Sequence, residues 1–197
     1  MNNYYFPNFN SNTSLYMITE LESDIKNNQF YKPLSLNDYG LSIYPSLLRE
    51  CFQNGSVHTL KDKLTSNLFR KTNKNGNTVQ TNIAEMLAFN DFNRYYIRSV
   101  LIQAIEQNKP VLVYRAKSSQ NERFESKNLL GRIFSNNDEK QRLLSIYRNY
   151  KILFSEKNKT GLLLPNSGLS IQFSWSSWQP SWYRTLLTFK EKWVIIY

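Results

Sequence analysis

The chain has 197 residues, 41% of them hydrophobic, which suits one domain with a sizeable core. A single cysteine, Cys51, and a single histidine, His58, exclude an internal disulfide framework and leave zinc without ligands, because neither CxxC nor HExxH occurs. The formal charge of +10 is uneven: residues 1–60 carry −2 and residues 61–197 carry +12, which points to an anionic partner for the later part.

Taken in chain order, residues 1–13 are rich in Asn and aromatics and predict a poorly ordered arm. They lack the basic and apolar regions of a secretory signal. No run of 18 apolar residues follows anywhere, so the expectation is a cytoplasmic protein with no transmembrane segment, no metal and no cofactor. A single α+β domain is expected over 14–174. Ser14 is a candidate N-cap for a helix over 14–28, with Leu15, Ile18, Leu21 and Ile25 along one side. "YKPLSLNDYG" reads as a loop punctuated by Pro33 and Gly40. Pro45 and Gly55 bracket a helix over 45–53, and leucines spaced by four predict another over 59–70. "KTNKNGN" then breaks the chain.

The longest helix is predicted over 82–108, with Asn82 and Glu85 as a capping-box start and Asn108 and Pro110 as its stop. "VLVYRAK" (111–117) predicts a strand, "SSQNERFESKN" a polar loop, and 138–150 a helix with Asp138 and Glu139 in its first turn. "LSIQFSW" alternates as a strand, after the turn "PNSG". The expected architecture is helix-rich in the first two-thirds. A small sheet from about 111–117, 151–155, 162–175 and 186–197 packs on the long central helix. All four tryptophans fall in 175–197, which reads as a hairpin or tail able to dock on a protein partner.

The central helix carries the main anomaly. At 100° per residue, Ile83, Leu87, Ile97, Leu101 and Ile105 form one apolar face, and Asn90 and Arg94 fall at its centre. Asn93 and Arg98 lie on its shoulders, with Tyr95 and Tyr96 beside them. A buried guanidinium cannot shed its proton, so Arg94 needs an acidic partner, an outlet to water, or an anionic ligand. Glu122 and Glu125, in the loop after the strand, are the expected partners.

Three functions follow from this pattern. The first is a basic module that binds a polyanion, nucleic acid foremost, through Asn90, Asn93, Arg94, Tyr95, Arg98, Arg115, Lys117 and Arg123. The second is an enzyme on a nucleotide-like or phosphorylated substrate. There Arg94 and Arg115 hold phosphate, Asn90 positions the substrate, and Glu122 or Glu125 does acid–base work. The order Arg115, Ser118-Ser119, then Glu resembles that of ADP-ribosyl-transferring enzymes over this short stretch. The third is a non-catalytic interaction domain in which an Arg–Glu network only fixes the fold.

Overall fold

Two asparagines in the left-handed region close two of the helices. A computed structural model of the chain describes residues 4–72, 78, 80–118, 124–153 and 167–174. Helix α1 (Ser11–Lys26) ends at Asn28, φ 55°, and α4 (Ile83–Glu106) at Asn108, φ 49°. In both, the next amide reaches back across the last turn: Gln29 N–H to Asp24 O and Lys109 N–H to Ala104 O, each 2.8 Å. Asparagine tolerates this conformation, and the pairing satisfies carbonyls that the helix leaves open.

The other elements are α2 (Asp38–Asn54), α3 (Val57–Lys63), a short 3₁₀ turn (Ser66–Leu68), β1 (Val111–Arg115) and α5 (Phe124–Lys127). They continue with β2 (Ile133–Phe134), α6 (Asn137–Arg148), α7 (Tyr150–Leu153) and β3 (Leu169–Phe173). The fold is α+β, with an antiparallel sheet in the order β2-β1-β3. Val111 stands opposite Phe134 on one side and Phe173 on the other. Helix α4 is central: α1, α3, α6 and β3 all pack on it, and every residue from Asp91 to Leu101 is buried.

Several expected boundaries move. Helix α1 begins three residues early because Asn10, not Ser14, caps it, its side chain accepting from Thr13 N–H at 3.0 Å. Asn37 caps α2 through Gly40 N–H, so the helix starts well before Pro45, which sits inside it. Gly40, expected in a loop, lies in that first turn, where a Cβ would strike the Leu68 carbonyl. The helix expected over 59–70 breaks at Leu64 into α3 and the 3₁₀ turn. Asn82 makes no side-chain cap, and Glu85 turns instead to Tyr4 and Lys117. Residues 151–153 are the end of α7 rather than a strand, and the two-residue β2 takes the sheet position. The remaining expected strand positions at 154–155, 162–166 and 186–197, and the Trp-rich segment, lie outside the described residues.

The N-terminal arm is tied down from Tyr4 onward. Tyr4 bridges Lys117 in antiparallel fashion, and Tyr5 N–H donates to Ala116 O at 3.0 Å. Gly168 (φ +71°) opens β3 at a close approach, where a Cβ would lie 2.5 Å from the Lys117 carbonyl. Among the described residues no helix is long and apolar enough to cross a membrane.

Candidate functional site

Helix α4 has no solvent face through its middle, which explains the polar residues there: each must be met by protein. Arg98 is 1% exposed and fully engaged. Its Nε donates to Glu20 Oε2 (2.8 Å), and its Nη1 and Nη2 grip Asp24 Oδ2 (2.6 Å) and Oδ1 (2.9 Å) in a planar fork. Glu20 and Asp24 sit four apart on α1 and so share one face. Arg148, at the end of α6, clamps Glu20 from outside with bonds of 2.9 and 2.6 Å. Tyr95 O–H donates to Asp24 Oδ2 at 2.9 Å.

Arg94, one turn earlier, is 4% exposed and less well served. Among the described residues it pairs with Asp91 on the same helix, Nε lying 3.7 Å from Oδ1. The other Asp91 oxygen accepts from Tyr44 O–H at 2.6 Å. Among the described residues, Arg94 Nε and Nη2 have no hydrogen-bond partner. The Tyr95 ring receives both cations, with the Arg94 and Arg98 guanidinium carbons 4.8 and 4.9 Å from its centroid. The Tyr31 ring adds a longer contact to Arg94, 5.7 Å.

The electrostatics divide the carboxylates. Burial pushes the Glu20 carboxyl up, but Arg148 and Arg98 outweigh it and hold Glu20 below the ordinary value of 4.5. Asp91 goes the other way. Its complete burial raises it above the ordinary 3.8, and Arg94 and Tyr44 only partly offset this. Burial also pushes the Cys51 thiol up to about 11, which makes it a buried hydrophobe rather than a nucleophile.

The expected site residues separate into three places. Arg94, Tyr95 and Arg98 come together in this interior cluster. Asn93 turns to the sheet, where its amide donates to Leu169 O at 2.7 Å. Arg115 donates from Nη1 to Ser167 O at 3.2 Å, and Lys117 pairs with Glu85 at 2.8 Å beneath Tyr4. Asn90 is half-buried. Glu122 and Arg123 lie outside the described residues; Glu125 lies in α5, but its side chain is not described.

Among the described residues the acid that meets Arg94 is Asp91; the expected partners, Glu122 and the Glu125 side chain, lie outside them. Glu20, Asp24, Asp91 and Arg148 were absent from the expected set. The i,i+4 carboxylates on α1 and the i,i+3 spacing of Asp91 and Arg94 were the available signals. Among the described residues, no group of three or more His, Cys, Asp or Glu is placed to hold a metal ion. No protein-family model, curated protein or solved structure matches this chain.

Proposed function

We propose that the protein is a non-enzymatic binding module for a polyanion, nucleic acid foremost, and that its anion contacts come from surface cations while the buried arginines brace the fold. One observation carries this reading. The interior cluster sets three guanidiniums, Arg94, Arg98 and Arg148, against three carboxylates, Glu20, Asp24 and Asp91. It adds nothing to the net charge of +10, so the whole surplus belongs to the rest of the chain. An anion entering the cluster would also face three carboxylates already in place.

A surface that suits such a partner lies where α4 ends and the sheet begins. Lys109 is exposed with its Nζ 5.6 Å from the Phe173 ring, and half-exposed Arg132 lies 4.7 Å over Phe134. Both phenylalanines pair with Val111, so the two cations mark the two ends of one rung of the sheet. Lys140 on α6 holds the Lys109 end of this surface in place, its ammonium bonded to Lys109 O at 2.8 Å. Glu139, 3.7 Å from Arg132, is the acidic neighbour that tempers this patch.

The test is binding of labelled single- and double-stranded oligonucleotides over a salt series. Affinity falls steeply as salt rises, and each of Lys109→Ala and Arg132→Ala lowers the log–log slope by about 1. Affinity that does not change with salt removes the proposal.

A further inference from the structure

We infer that the face of the sheet carrying Tyr114 is a stacking surface for the bases of single-stranded nucleic acid, with Tyr5 as its exposed ring. The inference rests on the polyanion reading above and narrows it from nucleic acid in general to unpaired strands. Tyr95 and Tyr96 of the central helix are 0% exposed and can meet no base. Among the described residues the exposed Phe and Tyr rings are Tyr5, Tyr39 and Phe124, and Tyr5 is the one packed edge-on against Tyr114 of β1, at 5.9 Å and 86°. The backbone that carries this ring is fixed. The Tyr5 amide donates to Ala116 O at 3.0 Å, and its carbonyl accepts from Tyr114 O–H at 2.6 Å. On either side, Tyr4 and Phe6 are held against Phe89 and Phe92. Tyr5 is thus 60% exposed yet tethered at its backbone and its ring edge. A ring already in place gives up little conformational freedom when a base lies on it.

The surface beside it suits unpaired bases. Alternation along β1 puts Leu112 and Tyr114 on one face, opposite the buried Val111 and Val113. The register sets Leu112 beside Ile133 and Gln172. All four are half-buried, and none is acidic. The cations Lys109 and Arg132 stand at the far end of the same strand, where they flank the Val111 rung. Val111 and Ala116 are five residues apart, about 17 Å, a span that a few nucleotides of extended strand cover. Single-strand binders divide the work in this way: cations take the phosphates, and aromatic rings take the bases. A duplex can use the cations but not the ring, because its bases are already stacked on one another inside the helix.

Anisotropy of a labelled oligo-dT strand and of a hairpin duplex, both at low salt, tests this. Tyr5→Ala should weaken single-strand binding by about 5- to 100-fold, the effect of losing one stacked base. It should leave duplex affinity and the salt slope as they were, since the lost contact is uncharged. Tyr5→Phe should bind like the unaltered chain, as should Tyr39→Ala, whose ring is 61% exposed on α2. A Tyr5→Ala chain that holds the single strand as firmly as before overturns the inference and leaves the polyanion reading standing. An equal loss on strand and duplex also overturns it, by showing that the change acts through the fold. Affinity that ignores salt removes the polyanion reading and the inference with it. A second measurement uses the unaltered chain: a single strand carrying halogenated uracil, irradiated in the complex, should leave its adduct on the peptide containing Tyr5. Adducts confined to other peptides would overturn the inference.

Discussion

Arg98 and Arg94 stand one helical turn apart, buried to similar depth, and differ in what surrounds the guanidinium. Arg98 has two carboxylates in hydrogen-bonding contact, and Arg94 has one at 3.7 Å. Removing one member of a well-paired buried set strands the others without partners, at about 3–5 kcal/mol. Arg98→Met is therefore expected to lower stability by that amount in urea unfolding, and Arg94→Met by clearly less. An Arg94 variant that loses as much as the Arg98 variant would contradict the geometry. Glu20 gives a pH signature. Its folded pKa lies below its unfolded one, so its contribution is present above about pH 4.5 and is lost as pH falls through the folded value. Asp91 has the opposite sign: raised by burial, it favours the fold below about pH 3.8 and loses that contribution as pH rises through its folded value. Comparing acid unfolding of Glu20→Gln and Asp91→Asn separates the two: the first variant flattens the acid limb and the second steepens it. At this scale the sequence identifies the misfit but not its partner. Arg94 at the centre of an apolar face is visible from periodicity. The Glu20 and Asp24 that meet Arg98 lie on another helix more than seventy residues away, and no local pattern reports that pairing.

Helix α4 was the most legible element, since Pro110 and the left-handed Asn108 stop it chemically. Its burial was not legible, because a face count assumes that one side meets water. Here α1, α3, α6 and the sheet take every side, and the weak segregation of apolar residues is what such a core helix shows. Elements defined by short-range chemistry came out near their expected places. β2, two residues long, has no periodicity to read, and Pro45 misled because the Asn37 cap outweighs a proline that fits either inside a helix or at its start. Joints between elements depend on single side chains. Asn93 ties α4 to β3 by occupying the Leu169 carbonyl, so Asn93→Ala strands a buried acceptor. The expected loss is about 1–3 kcal/mol, read as a fall in thermal midpoint. The exchange rates of β3 amides should rise before those of α4, and a uniform rise would show that Asn93 is not a local joint.

For the whole molecule, charge is balanced inside and in surplus outside. These two populations should answer salt differently. Buried pairs are screened little, whereas surface cations are screened within a Debye length. Raising salt should therefore weaken polyanion binding strongly while moving the urea midpoint only slightly. A midpoint that falls in step with binding would mean that the interior cluster is reached by solvent ions.

Lys140 is 0% exposed, its ammonium spent on the carbonyls of Ala104 and Lys109 at the end of the central helix, and burial lowers its pKa. Exposed Lys109 is its immediate neighbour in space. Amine-reactive reagents should thus label Lys109 promptly and spare Lys140 until the chain opens. The ratio of the two adducts in a mass spectrum then becomes a clock for global unfolding, carried by the native sequence without any added probe.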